Sequence, residues 1–134
     1  MSKTVESVLK LKELYFDKLV FARKGPQNDN SIEYSFSVQI GSDKEEEFYK
    51  TILSLSAVKK EEFEIEICLQ GVFSFSCEDK SISEDLKKTL IQKNTVAIMM
   101  PYIRSQLTIL TSQPGVEPVV MQPFNINAML DDVH

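Results

Sequence analysis

Residues 98–128, IMMPYIRSQLTILTSQPGVEPVVMQPFNINA, decide how this chain folds. An apolar run leads through Pro-Tyr-x-Arg into a helix, because Ile103, Leu107 and Leu110 recur on one helical face. A loop with three prolines follows, and then an apolar C-terminal strip. A segment this apolar has to be covered by the rest of the chain, by another subunit or by a client polypeptide.

Four strands are predicted upstream of that helix. Residues 11–23 predict a first strand with a bulge, because two apolar clusters flank Asp17 and Lys18. Residues 32–40 alternate apolar and polar side chains, the pattern of a half-buried strand. Further strands are predicted over about 47–58 and 62–77, the latter with Gly71 on its apolar face so that another backbone can approach. Strands first and helices last predict an α+β fold, an antiparallel sheet backed by helices.

Two helical patterns follow the strands. Ser81 and Glu84 have capping-box spacing, and they precede apolar residues at four-residue intervals. Pro101 fits the first turn of a helix and would kink a helix that started earlier. The sequence therefore predicts a helix after Ser81 and a second one from about Pro101.

Composition excludes several classes of function. A chain of 134 residues with 43% apolar and 26% charged residues predicts one soluble domain over residues 1–134. The formal charge of −5 argues against nucleic-acid binding. No secretory signal is evident, and no apolar run approaches the roughly 20 residues needed to cross a bilayer. We therefore expect a cytoplasmic protein without membrane insertion.

Side chains suited to catalysis are scarce. The only histidine is His134 at the chain end, and Cys68 and Cys77 are too few and too far apart for a metal site. Residues 43–47, DKEEE, lack the alternating oxygen ligands of a calcium loop and predict a solvated hairpin turn. No phosphate loop or hydrolase motif occurs. The sequence predicts a protein that is not an enzyme and that has neither a metal nor a cofactor.

Three sequence pieces carry a resemblance to a known family. Pro101-Tyr102-x-Arg104 follows an apolar run, as Phe-Pro-Tyr-Ala-Arg does in the SecB family of export chaperones, and Pro123, Asn125 and Ala128 fit that family's next motif. Residues 70–74, QGVFS, are similar to the family's Gln-Gly-Gly-Ile-Phe-Ser. Aromatic residues near the start match those that flank the family's first strand, Tyr15 and Phe21. The chain resembles the SecB family from about residue 14 to residue 130.

The resemblance implies a fold, an assembly and an activity. It implies a four-stranded antiparallel sheet backed by a long helix and a short C-terminal helix. It also implies a homotetramer, a dimer of dimers, in which the helix face of Ile103, Leu107 and Leu110 forms an oligomer interface. The implied activity is ATP-independent holding of unfolded or precursor polypeptides in apolar grooves. The residues carried over as client-binding lie on the second strand and the loop after the helix: Tyr34, Phe36, Val38, Ile40, Val116, Val119, Val120 and Met121.

Docking to the export motor is where the chain departs from the family. Acidic residues on the family's sheet bind a zinc-containing tail of the SecA ATPase, and Glu66 matches one of them. Lys18 and Ala22 stand where the family has two further acids, and the chain stops soon after the last motif. The client is therefore either general export precursors or a dedicated partner, such as the antitoxin of a toxin–antitoxin–chaperone system. A small-ligand binding protein of the same fold is the remaining alternative.

Overall fold

The computed structural model describes residues 7–43, 48–77 and 83–123, which form one sheet and one helix. Its strands are β1 (Ser7–Arg23), β2 (Ile32–Ser42), β3 (Phe48–Lys59) and β4 (Phe63–Cys77), and its helix is α1 (Glu84–Thr111). The strand order is β1-β4-β3-β2, and every neighbouring pair is antiparallel. The predicted four-stranded α+β fold with a long helix is confirmed, whereas the predicted short C-terminal helix lies outside the described residues.

Strand β1 contains two bulges. Its register against β4 shifts between Leu11 and Glu13 and again between Phe16 and Lys18. Each extra residue moves the side chains that follow to the other face of the sheet. As a result, the residues on the helix-facing side of β1 change from odd to even numbers and back along the strand: Leu9, Leu11, Leu14, Phe16, Leu19 and Phe21. The predicted bulge near Asp17 is confirmed, and the first bulge was not foreseen.

Helix α1 is continuous, which corrects the prediction of two helices. Its N-cap is Ser83, whose side-chain oxygen accepts a hydrogen bond from the backbone N–H of Leu86 at 3.2 Å. The predicted cap, Ser81, lies outside the described residues. Pro101 sits inside the helix rather than in a first turn. Pro101 and Ala97 are both exposed, so water can solvate the Ala97 carbonyl that would otherwise accept from residue 101.

The core forms between α1 and the two central strands, β3 and β4. Its strand residues are almost fully buried: Leu53, Leu55, Ala57, Phe63, Ile65, Ile67, Leu69 and Phe73. The helix contributes mainly Val96, Met99, Met100, Ile103 and Leu107. A Cβ on Gly71 would lie 2.8 Å from the Phe73 ring and 3.1 Å from the Met99 sulfur. The missing side chain at Gly71 therefore makes room for side chains, not for a backbone as predicted.

A buried ion pair closes the turn between β3 and β4. The Lys59 ammonium lies 3.0 Å from the carboxylate of Glu62, which is 1% exposed. The backbone N–H of Asn28 donates to the same carboxylate at 3.0 Å. Burial alone would raise the pKa of Glu62, but the Asn28 hydrogen bond, Lys59 and Arg23 outweigh burial and hold that pKa below its usual value. The loop that leads into β2 is thereby fixed to the central hairpin.

Candidate functional site

One helix is too narrow to cover the inner face of a four-stranded sheet. An α-helix is about 10–12 Å across with its side chains. Neighbouring strands lie about 4.8 Å apart, so α1 covers roughly two of them. Inner-face apolar residues of the edge strands remain exposed by 36–43%: Leu11 and Leu19 on β1, and Tyr34 and Ile40 on β2. The uncovered area forms two apolar strips, one on each side of the helix.

The strip on β2 consists of Tyr34, Phe36, Val38 and Ile40, and we call it the β2 strip. These residues pair with the buried β3 residues Ala57, Leu55, Leu53 and Thr51, respectively. All four therefore lie on the inner face of the sheet, the face that packs against α1. Phe36 and Val38 are half-buried against the core, whereas Tyr34 and Ile40 are each 36% exposed. Partial burial raises the pKa of the Tyr34 phenol. The structure thus brings together the four strand residues that the sequence analysis assigned to client binding.

A groove of about 250 Å³ continues the β2 strip toward the start of the helix. Its lining comes from β2, β3 and α1: Val38, Ile40, Gly41, Ser42, Tyr49, Lys88, Ile91 and Gln92. Near the same end, the Lys87 ammonium lies 5.4 Å from the Tyr49 ring centre and 5.8 Å from that of Phe75. Because β2 is an edge strand, one row of its backbone N–H and C=O groups is unpaired within the sheet that the structure describes. Apolar side chains and free backbone groups therefore stand side by side.

The loop after the helix presents only one of its four predicted contact residues. Val116, Val119 and Met121 are 6–8% exposed and pack in the core, whereas Val120 is 70% exposed. Helix hydroxyls satisfy the loop backbone: the Thr108 hydroxyl donates to the Val119 carbonyl at 2.7 Å, and the Thr111 oxygen accepts from the Val119 N–H at 2.8 Å. Prolines keep this loop out of regular structure but do not prevent its burial.

The helix face predicted as an oligomer interface packs against the chain's own sheet. Ile103 and Leu107 are 0% exposed within the single chain, and Leu110 is half-buried. Ile103 and Leu107 therefore belong to the chain's own core, and the oligomer interface assigned to this face stays a prediction. Among the described residues, the large apolar side chains that α1 exposes are Leu86 and Tyr102, each 46% exposed, and Ile109, 62% exposed. Tyr102 and Ile109 are seven positions apart and therefore lie on one face of the helix.

The outer face of the sheet is polar and internally paired. Lys18 and Glu66 form an ion pair at 2.6 Å, and Lys24 lies 3.9 Å from Glu64. The hydrogen bond and charge of Glu66 raise the pKa of Lys18. A depression of about 330 Å³ beside this pair is lined largely by small polar side chains, including Ser35, Ser37, Ser54 and Ser56. The carboxylate that matches a SecA-docking residue is therefore already bound by a lysine of the same chain.

Within residues 7–43, 48–77 and 83–123, no group of three or more His, Cys, Asp or Glu side chains could hold a metal ion. None of the helical segments in those ranges is long and apolar enough to span a membrane.

Comparisons with known proteins agree with this architecture. No protein-family model matches the chain. The protein-export protein SecB of Rickettsia bellii is 26% identical over 102 residues, which cover 73% of this chain and 64% of that protein. The chain thus spans about two thirds of the length of the curated relatives that it matches. An uncharacterized protein of Methanocaldococcus jannaschii is 24% identical over 81% of this chain and 72% of its own length.

A solved structure shares the fold. It is the Mycobacterium tuberculosis SecB-like chaperone Rv1957 in complex with a ChAD peptide from the HigA1 antitoxin. The two chains superpose with a TM-score of 0.70 at 11% identity, covering 85% of this chain and 86% of the other. This chain is therefore similar to SecB in sequence and to a SecB-like chaperone in fold, which supports the predicted resemblance.

Proposed function

We propose that this protein is an ATP-independent chaperone that holds unfolded or extended polypeptides along the β2 strip. The observation that carries the proposal is the strip itself, since Tyr34 and Ile40 remain exposed on the strand that forms one edge of the described sheet. An extended client segment can add hydrogen bonds to that edge whatever its sequence, since every residue except proline offers the same backbone groups. Apolar client side chains then pack on Tyr34 and Ile40 and into the groove near Ile91.

The client proposed here is a dedicated polypeptide rather than a broad set of export precursors. Two observations favour this choice. The Lys18–Glu66 pair neutralises the acidic position through which a SecA tail would dock. The SecB-like chaperone that shares this fold binds a peptide of an antitoxin. Tight binding of a SecA zinc-containing tail peptide, measured by calorimetry, would contradict the dedicated client and favour export.

A homotetramer is part of the proposal, with a revised interface. The outward face of α1 around Tyr102 and Ile109 is exposed and apolar, whereas Ile103 and Leu107 are buried by the sheet. A second copy that packs on the outward face would cover these side chains and leave the β2 strip open on the sheet edge.

An aggregation assay tests the holding function. Chemically unfolded citrate synthase is diluted with or without the protein, in the absence of ATP, and light scattering is followed. We expect the wild-type protein to suppress scattering, and the Ile40→Ser variant to need roughly tenfold more protein, because one buried apolar contact with the client is lost. Gln39→Ser, on the outer face of the same strand, is the matched control and should behave as wild type.

The two failures of this assay have different meanings. A wild-type protein that suppresses no aggregation, and that binds no unfolded probe, would overturn the holding function. Wild-type suppression with equal activity of Ile40→Ser and Gln39→Ser would leave the function in place and move the client away from the β2 strip.

A further inference from the structure

Arg23 joins the end of β1 to the loop that follows the helix, although 92 positions separate it from Gly115. Its Nη1 donates to the Gly115 carbonyl at 2.8 Å, and its Nε donates to the Gly25 carbonyl at 3.0 Å. The guanidinium therefore bridges two loops from a position at the end of a strand. A rigid fork of donors can hold two carbonyl groups at once, which a lysine ammonium on a flexible stem does less well.

Gly115 is shaped to receive this contact. Its φ of +80° lies in the left-handed region, which a residue with a side chain adopts only with strain. A Cβ there would also lie 3.1 Å from Nη1 of Arg23. Glycine thus gives the loop its turn and leaves space for the guanidinium to lie against it. The turn itself is closed by the Val116 N–H, which donates to the Gln113 carbonyl at 3.2 Å.

The loop is held at two places, and Val120 lies beyond both of them. Arg23 fixes the loop at Gly115, and the hydroxyls of Thr108 and Thr111 fix it at Val119. Between these points the loop buries Val116, and beyond them it buries Met121. Val120, which directly follows the second point, is 70% exposed. The position of this apolar side chain is therefore set by contacts made elsewhere in the loop.

We propose that Arg23 is a positioning residue for polypeptide binding, which holds the loop through Gly115 so that Val120 is presented to an extended client. This inference rests on the proposed holding function. A loop fixed in advance binds more tightly, because the client does not have to order it. Arg23 itself does not contact the client, and its effect passes through the loop.

A double-mutant cycle tests the proposal. The probe is reduced, carboxymethylated α-lactalbumin labelled with fluorescein, and the dissociation constant is measured by fluorescence anisotropy for the wild type, Arg23→Gln, Val120→Ser and the double variant. We expect Arg23→Gln to weaken binding about fivefold, of the order of the net contribution of one solvent-exposed hydrogen bond. In the Val120→Ser background the same change should cost less than twofold, since the two residues act as one unit.

Controls separate positioning from general damage. Lys24→Gln removes the neighbouring positive charge, whose nearest carboxylate is 3.9 Å away, and should leave the affinity unchanged. Arg23→Lys keeps the charge without the fork and should lie between the wild type and Arg23→Gln. Hydrogen exchange should accelerate at the amides of Val116 and Val119 in Arg23→Gln, while amides of the central strands keep their protection.

Each outcome decides between the two proposals. If the wild type binds and Arg23→Gln binds equally well, or if its effect simply adds to that of Val120→Ser, the positioning role is overturned and the holding function stands. If Arg23→Gln exposes the central-strand amides as well, Arg23 acts on the whole fold and the positioning role is overturned. If the wild type binds no unfolded probe, the holding function fails and this inference fails with it.

Discussion

The central and edge strands of this sheet have similar apolar residues on the inner face but different surroundings. Leu69 on β4 and Leu19 on β1 both face the helix, yet Leu69 is 0% exposed and Leu19 is 43% exposed. The difference comes from the width of the cover, since one helix spans two strands and not four. The same apolar pattern therefore makes a core in the middle of the sheet and an exposed apolar surface at its edges.

The contrast between buried and exposed apolar residues predicts its largest effect on stability when one leucine of each kind is replaced by alanine. Leu107→Ala removes a fully buried side chain over the central strands, and we expect it to lower the free energy of unfolding by about 2–5 kcal/mol. Leu19→Ala is the matched change on an edge strand. Because its side chain is already partly solvated, we expect a loss of about 1 kcal/mol or less.

Urea unfolding followed by circular dichroism at one fixed protein concentration measures both losses. Equal losses would mean that the edge residue is as well covered as the central one, and the contrast between buried core and exposed edge would disappear. If Leu107→Ala lowered the free energy of unfolding less than Leu19→Ala does, the helix would have to cover the edge of the sheet instead of its centre.

Two ion pairs also differ between a buried and an exposed position, and we expect them to affect the free energy of unfolding less than the leucine substitutions do. The central pair, Lys59 and Glu62, is buried, whereas both side chains of the Lys18–Glu66 pair are more than half exposed. The pKa of Glu62 is lowered from 4.5, so the carboxylate contributes stability above pH 4.5, and that contribution is lost as the pH falls from 4.5 through the lower folded-state pKa. Glu62→Gln should remove this part of the acid sensitivity and lower the stability at neutral pH, because Lys59 loses its counter-charge.

Thermal unfolding from pH 7 to pH 3 measures this difference. The stability gap between wild type and Glu62→Gln should be widest at neutral pH and should narrow below pH 4.5. Glu66→Gln is the control, and its stability should follow the wild type because water screens an exposed pair. A constant gap for Glu62→Gln would show that the folded and unfolded states bind its proton equally.

The sequence predicted the strands and the helix more accurately than it predicted which of their surfaces are buried. Period-two alternation from Ile32 to Ile40 placed β2 and its inner face correctly, because alternation depends only on local backbone geometry. Helical spacing likewise put Ile103 and Leu107 on one apolar face, but periodicity cannot say whether that face meets the chain's own sheet or another subunit. The burial of Val116 and Val119 was missed for the same reason, since both side chains pack in a core whose strand residues are distant in the sequence.

The roles of some residues could be identified only from the folded structure. Ser83 is the N-cap of α1, although Ser81 matches the same preference for an N-cap serine in the sequence. Arg23 gave no signal as a bridge to Gly115, because 92 residues separate the two. Only the positive φ at Gly115, within Pro-Gly, could be anticipated as turn chemistry.

The outward face of α1 gives the smallest expected effect on the fold and the sharpest test of assembly. Ile109→Ser changes a side chain that is 62% exposed in the single chain, so the secondary structure and the unfolding of the separated chain should change little. If two copies meet on this face, the change removes an apolar contact and should shift the protein from tetramer to smaller species. Lys93→Ser, an exposed change on the same helix, is the control and should leave the mass unchanged.

Light scattering coupled to size-exclusion chromatography at micromolar concentration gives the mass of each variant. A wild-type monomer would contradict the proposed tetramer directly. A tetramer that survives Ile109→Ser would move the interface to another surface, and the β1 strip around Leu11 and Leu19 is then the next apolar area to test. Because β2 and β1 form opposite edges of the sheet, an interface on the β1 strip would leave the β2 strip open.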